Sequence, residues 1–536
     1  MTQAKKTLII GSSACALQLA GHLAAGGMPV ILAGTPPQIP VSAPDERSPA
    51  GAESIDIAAG ARITRCEGIA GGFKVILSSN GSQQTTHEVG SIVVAEETRR
   101  QANHAAFGLR ASPAVQSLSE FRKWMAEGPH PENAAALDGK TVVFLNGLAQ
   151  ESTPVIAAEI MQAALELQRL PGVRTFVLTT NLKVAGKGLE ALYHRAKSAG
   201  VLFVKFSATK PRIDQAQDGP VTILFTDEAG GSTVRLHADV TVVDESIVPS
   251  EELQDLGRIL ELETDETGFL QTANVHRWPV FTNRRGILAA GPARAVLLPE
   301  EIMADAAAAA GAVLGRTWQP EAAQATTRIE PGKCVRCLTC YRLCPYRAVQ
   351  KAARITIAPE ACAGCGICVA ECPRGAIAWG DSGAPFAREP DQFTAGEPGA
   401  AVRFVAFCCS RSAGRAAELA EGLGFKLPAG LEIVAVPCAG ALSVRHILAA
   451  LAGGAEGVMV LSCHTGNCHS EQGNILARQR VALLSEHLHA IGWDPKRLQF
   501  QTLAANMAVE FADTVQCFAQ NLIKLKIDPR RGANEQ

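Results

Sequence analysis

Two stretches of this chain, CVRCLTCYRLCP at residues 334–345 and CAGCGICVAECP at 362–373, repeat one cysteine spacing without a gap. Each reads C-x2-C-x2-C-x3-C-P. Intervals of two residues let a tight loop turn three sulfurs and several backbone N–H groups toward one point, and Gly364 and Gly366 suit so close a backbone approach. Ten of the sixteen cysteines fall between residues 334 and 409. Thiols clustered in this way belong to a reducing compartment and to metal ligation rather than to disulfides.

Zinc ribbons also use C-x2-C, but as pairs separated by a longer gap. Three cysteines followed by x3-C-P are instead the bacterial ferredoxin signature, in which the fourth cysteine crosses to the neighbouring cluster. The expected assignment is Cys334, Cys337, Cys340 and Cys372 on one 4Fe-4S cluster, and Cys362, Cys365, Cys368 and Cys344 on the other.

A Pro/Gly/Asp-rich linker, about 383–400, follows and is expected to let what lies beyond it reposition. There, apolar runs alternate with amphipathic segments: VRFVAFCC, LEIVAVPC and GVMVLSC read as strands of a small parallel α/β domain. Cys408, Cys409, Cys438 and Cys463 stand at strand carboxyl ends, and Cys468 lies in the next loop. That edge is where open parallel sheets hold their ligands. Four sulfurs there suit a 2Fe-2S cluster or zinc. His464 and His469 flank the loop as further donors or as solvated side chains, while Cys15, Cys66 and Cys517 read as small hydrophobes.

Residues 1–320 read as a Rossmann-like region. TLIIGSS, ACALQLAGHLAAGG and MPVILAG form a βαβ unit, a second unit spans about 138–245, and the chain returns to the first through GILAAGPARAVLLPEEIMADAAAAAGAVLG. A phosphate turn places glycine first for the bend, second for pyrophosphate approach and third for helix packing. Those places hold Gly11, Ser13 and Ala16. Serine at the second place is expected to crowd a pyrophosphate, the second strand ends on Leu32, Ala33 and Gly34 without an acid for the ribose, and Glu96 and Glu97 put negative charge near the phosphates. Gly291 is followed by Pro292, which lacks an N–H. FAD through Gly11, Ser13, Ala16 and Gly291 is therefore an open alternative, and NAD is not expected. Lys183, Lys187, Tyr193 and Arg294 are expected at the surface.

FCC, VPCAGAL and GVMVLSCHTGNCH resemble the delta subunit of methyl-viologen-reducing hydrogenase over about 401–526. The resemblance implies a 2Fe-2S cluster, but the chain reads SRSAG where a further cysteine is expected, leaving the fourth ligand open between Cys408 and Cys409. The region before the linker resembles the flavin-binding iron–sulfur subunit of heterodisulfide reductase, without the long cysteine-bearing insertion expected after VILAG. The whole order is similar to the B-type subunit of the quinone-interacting membrane-bound oxidoreductase.

The expected fold class is α/β: a two-dinucleotide flavoprotein scaffold (1–320), a double 4Fe-4S ferredoxin domain (325–382), the linker, a hydrogenase delta-like domain (401–526) and a tail (527–536). The expected function is electron transfer within a cytoplasmic multisubunit redox complex, with a flavin-based electron-bifurcating enzyme and a zinc-stabilised scaffold as alternatives. With 50 Lys+Arg against 52 Asp+Glu, no overall basic surface argues for nucleic acid. A signal peptide is not the expected reading of the start, because Gly11, Ser12, Ser13, Gln18 and His22 interrupt the apolar stretch. No apolar run is long enough to span a bilayer, so a membrane is reached only through a partner.

Overall fold

The computed structural model describes residues 5–34, 55–79, 83–126, 137–270 except 208, 218 and 229, 279–315, 327–379 except 360, then 386, 392, 393 and 401–527. Most of the linker and residues 528–536 of the tail lie outside the described residues.

The first sheet is built from buried apolar strands. β1 (Thr7–Ile10) runs into α1 (Ala14–Ala25), then β2 (Val30–Gly34) and β3 (Ile55–Ala59), with β4 at Ser91–Val94. Between β3 and β4 the chain makes a three-stranded antiparallel sheet that includes Phe73–Ser79. Continuous burial along β1 and β4 is the pattern of a parallel strand covered on both faces.

The second sheet is formed by β5 (Val115–Ser117), β6 (Thr141–Asn146), α2 (Pro154–Leu167), β7 (Arg174–Thr179), α3 (Leu189–Ser198), β8 (Leu202–Lys205) and β9 (Val240–Val243) in the parallel order β8-β7-β6-β9-β5. The chain then returns to the first sheet through β10 (Ile287–Ala289), giving the parallel order β10-β4-β1-β2-β3. α4 (Pro299–Leu314) lies against α1, with the Leu314 side chain beside Gly26.

The cysteine-rich segment 327–379 has little regular structure: two small antiparallel pairs and two helical turns, Thr339–Leu343 and Ile367–Ala370. The C-terminal domain comprises β11 (Phe404–Cys409), α5 (Ala413–Gly422), β12 (Leu431–Val436), α6 (Val444–Ala452), β13 (Gly457–Ser462), α7 (Gly473–Ala490), β14 (Leu498–Thr502) and α8 (Ala508–Ile527). Its parallel order is β12-β11-β13-β14. β14 and α8 extend the domain beyond the elements expected from the sequence.

Two phenylalanines of the linker are held against the domains on either side of it. Phe386 and Phe393 are buried, Phe386 edge-on to Trp379 of the cysteine segment at 5.7 Å and Phe393 edge-on to Phe407 of β11 at 6.3 Å. Trp379 and the β11–β13 strands share one core. Buried aromatic pairs fasten the two parts together.

Candidate functional site: three gatherings of thiols

The two cysteine runs fold into equivalent loops. Arg336 and Leu338 adopt φ of 56° and 63°, and Gly364 and Gly366 adopt 62° and 73° at the same places in the second run. Left-handed residues at alternate positions turn successive N–H groups inward, the geometry of an anion nest. Leu338 and Arg336 carry the strain that glycine avoids in the second loop. The fourth cysteine of each run is held alike: Ala348 N–H donates to Cys344 Sγ at 3.3 Å, and Ala376 N–H donates to Cys372 Sγ at 3.2 Å.

One pocket of about 370 Å³ is lined by Cys334, Cys337, Cys340 and Cys372. A second, of about 330 Å³, is lined by Cys344, Cys362, Cys365 and Cys368. Each pocket thus takes three thiols from one run and the fourth from the other. They differ in exposure. Cys337 is exposed, and its thiol is held below the usual range by the hydroxyl of Thr339, 3.4 Å away. In the second pocket burial pushes Cys365 up to about 12 and Cys344 and Cys368 upward as well. Those thiols ionise only when a cationic centre compensates, which is the condition for metal ligation.

The third gathering lies at the carboxyl edge of the C-terminal sheet. Successive strand residues face opposite sides, so Cys408 and Cys409 separate. Cys408 enters the apolar core with Met459, Leu461 and Phe511, where burial raises its thiol. Cys409 contacts Cys463, which contacts Cys468, which contacts Cys438. Hydrogen bonding from Cys438 and then Cys463 lowers Cys468 to about 2, and that from Cys463 lowers Cys409 to about 6. Cys438 and Cys463 are driven upward by the same bonds and by burial. The four thiols are thus joined by hydrogen bonds running from Cys409 to Cys463, Cys468 and Cys438. Among the described residues, no group of three or more His, Cys, Asp or Glu is disposed around a single ion. Asn474 staples the loop by donating to Cys463 O at 3.1 Å and His464 O at 2.8 Å. His464 is engaged elsewhere, with Thr502 Oγ1 at 2.9 Å and Met507 Sδ at 3.5 Å.

Cys365 joins the second pocket to the third gathering. It lines the former and packs against Cys438, Cys463 and Cys468. Around it the cysteine segment and the C-terminal domain are locked: Arg480 binds Glu371, and Tyr346 O–H donates to His469 O at 3.0 Å. A Cβ on Gly366 would meet Trp379 at 2.1 Å and Ala441 at 2.7 Å. Arg285, from the N-terminal region, donates to Cys362 O at 2.9 Å and lies over the Tyr346 ring.

The dinucleotide turns are satisfied internally. Ser13 caps α1, its Oγ accepting from Ala16 N–H at 3.0 Å and donating to Ala95 O at 2.7 Å. The hydroxyl is therefore turned inward, and the departure removes a donor rather than space, which corrects the crowding expected at this place. Gly11, at φ 135°, has no room for a Cβ beside Ala95 O. Gly291 N–H donates to Asp305 Oδ2 at 3.0 Å, and Asp305 also takes Arg294 Nε at 2.7 Å. In the second unit Gly147 N–H donates to Asp244 Oδ2 at 2.7 Å. Carboxylates thus occupy donors that a phosphate would use. The nearby cleft is lined by Glu96, Glu252 and Asp255 together with Arg62, and burial raises Glu96 above the usual carboxylate range.

Several single residues differ from expectation. Arg294 is buried on Asp305 rather than at the surface, whereas Lys183 pairs with the exposed Glu151 as a surface residue would. Cys517 is exposed because it lies on the outer face of α8, whereas Cys15 is buried against α4.

Residues 326–373 match the 4Fe-4S dicluster domain family, and 404–526 match the family of the methyl-viologen-reducing hydrogenase delta subunit. The A-type subunit of the ferredoxin:CoB-CoM heterodisulfide reductase of Methanosarcina mazei is 27% identical over 377 residues, 68% of this chain and 46% of the relative. The chain thus spans less than half of that protein's length. The D-type iron-sulfur subunit of the F420-non-reducing hydrogenase of Archaeoglobus profundus is 33% identical over 121 residues, 23% of this chain and 88% of the relative. Among solved structures, thioredoxin reductase of Lactococcus lactis is 18% identical, covering 58% of this chain and 98% of that one with a TM-score of 0.38. Through residues 404–526 the chain belongs to the methyl-viologen-reducing hydrogenase delta-subunit family, carried behind a 4Fe-4S dicluster domain and a region like the A-type subunit of heterodisulfide reductase.

Proposed function

We propose that this chain is an iron–sulfur electron-transfer subunit of a cytoplasmic complex of the heterodisulfide reductase or quinone-interacting oxidoreductase kind, with no catalytic residue of its own. In this reading Cys334, Cys337, Cys340 and Cys372 hold one 4Fe-4S cluster, Cys344, Cys362, Cys365 and Cys368 hold another, and Cys409, Cys438, Cys463 and Cys468 hold a 2Fe-2S cluster. Such clusters supply one-electron carriers whose potentials depend on hydrogen bonds to sulfur and on burial.

The observation that carries the reading is Cys365, which lines the second cubane pocket and touches the C-terminal thiols. It brings the second cubane pocket into contact with the thiols at the edge of the C-terminal sheet. The protein's part is to exclude water from the inner two centres, to aim N–H groups at Cys344 and Cys372, and to hold both domains rigidly through Arg480–Glu371 and Tyr346. The relatives named above are subunits of heterodisulfide reductase and hydrogenase, which supports partner subunits for this chain as well. No described helix is long and apolar enough to cross a membrane.

Anaerobically purified protein should contain about ten irons with matching acid-labile sulfide. Replacing Cys344 by Ala should damage the EPR signal of the cluster held by Cys362, Cys365 and Cys368 and leave that of Cys334, Cys337 and Cys340. Loss of the other signal would overturn the crossed assignment. One zinc in place of two irons in the C-terminal domain would leave the cubanes as the only redox centres.

A further inference from the structure

One cation of the N-terminal region reaches the second, inner cysteine pocket. The corner that presents it is fixed by packing: Arg284 is buried over the Phe73 ring and donates to Leu260 O at 2.9 Å and to Gly68 O at 3.1 Å. Gly286 follows at φ 77°, where a Cβ would meet Ala70 Cβ at 2.7 Å. Arg285, between them, reaches across to the cysteine segment. Its Nη1 donates to Cys362 O at 2.9 Å, and its guanidinium lies 5.8 Å from the centre of the Tyr346 ring, which lines the inner pocket beside Cys362 and Cys365. From the same corner Ile69 packs against the small core that includes Cys362.

Arg285 is half-buried, and the charged or titratable groups that face it are Tyr346, Cys362, Cys365 and Arg411. Among the described residues no carboxylate pairs with it. A guanidinium stays charged at physiological pH, and taking it out of water without an anion is costly. Of these neighbours, Cys362 and Cys365 carry negative charge once they ligate a metal. The outer pocket differs: Arg336 and Arg374 line it and Arg342 donates to Cys337 O at 3.2 Å, but all three are exposed, where water and salt screen them. We propose that Arg285 is the charge partner of the inner cubane, favouring its reduced form and so biasing electrons toward the centre beside the C-terminal thiols. The proposal rests on the reading of the second pocket as a 4Fe-4S site. Reduction adds one negative charge to a centre whose ligand segment Arg285 touches, with no bond or proton exchanged. A half-buried cation is weakly screened and stabilises that added charge, and cluster potentials respond to net charge.

The test uses the full chain, purified anaerobically, with iron and sulfide counted on the sample. Each cubane is followed by EPR during titration with dithionite and mediators, the inner signal being the one that Cys344→Ala removes. R285Q should keep its iron and lower the reduction constant of the inner cubane about tenfold, equal to about 59 mV for a one-electron couple. The outer cubane should not move. R285K, which keeps the charge without the planar fork, should recover at least half of the shift. An unshifted inner potential in R285Q, an equal shift in both cubanes, or an R285K protein as low as R285Q would overturn the proposal. So would an R285Q protein that sheds the inner iron, because the arginine would then build the site rather than set its potential. A parent sample without cubane iron would instead overturn the functional reading itself, and this proposal with it.

Discussion

Gly473, the first residue of α7, is the most direct test of the C-terminal thiol centre. Its backbone is ordinary for any residue, so alanine there introduces no strain in φ, and a helix favours alanine over glycine by up to about 1 kcal/mol. Geometry acts the other way. A Cβ at 473 would stand 2.2 Å from Cys438 Sγ and 3.4 Å from Cys468 Sγ. Ordinary contact needs about 3.5–4 Å, so Cys438 Sγ must retreat by roughly 1.5 Å, more than half the roughly 2.3 Å length of a metal–thiolate bond. The sulfur has one torsion with which to retreat, and using it takes Cys438 out of the quartet. Overpacking of this kind amounts to about 1–3 kcal/mol, which exceeds the gain in propensity. G473A should therefore lose the EPR signal and the two irons of the C-terminal centre while keeping both cubanes, and should be no more stable than the parent. G21A, in α1 with nothing within 4 Å of the added methyl, is the control and should gain about 0.5–1 kcal/mol. A G473A protein with a full C-terminal centre and the stability gain of G21A would refute the argument.

Replacing Cys409 by Ser should abolish the C-terminal centre, whereas Cys408→Ala should keep its iron and sacrifice roughly 1 kcal/mol of packing in urea unfolding. Iron loss in Cys408→Ala with iron kept in the Cys409→Ser protein would show that the two faces of β11 have been exchanged. Removing the Asp305 carboxylate by Asp305→Ala takes from the buried Arg294 guanidinium the two-oxygen acceptor that it grips and should destabilise by about 3–5 kcal/mol. A change below about 1 kcal/mol would mean that the pair is open to water. Burial, then the charges of Arg445 and Arg480, hold His446 below the usual imidazole range, and its neutral Nδ1 accepts the Ser443 N–H. Its contribution to stability is complete above the unfolded value near 6.5 and is lost as pH falls from there through the lower folded value. H446Q should flatten that acid-side loss in thermal melts, and an unchanged pH profile would exclude His446 as its source.

Much of the molecule is legible because the controlling rules are local. Three cysteines within seven residues can only wrap one centre, and βαβ periodicity marks each parallel strand with its helix. What escapes the sequence depends on groups far apart along the chain. Whether Cys408 or Cys409 faces the other sulfurs follows from which side of β11 carries Phe511 and Met459. The linker's composition is polar, yet Phe386 and Phe393 within it are buried in the surrounding core. The glycine fingerprint can show that phosphate contacts are eroded. It cannot show that Asp244 and Asp305 take up the turn amides of Gly147 and Gly291.

The sequence by itself determined the cluster-binding loops and the class of each domain, since spacing and periodicity operate within a few residues. Only the tertiary structure decided that Cys365 touches the C-terminal thiols, and that Arg336, Arg342 and Arg374 gather about Cys337 in a chain of nearly zero net charge. Composition averages over the whole surface, whereas contact distance and local field depend on which surfaces the packing brings together.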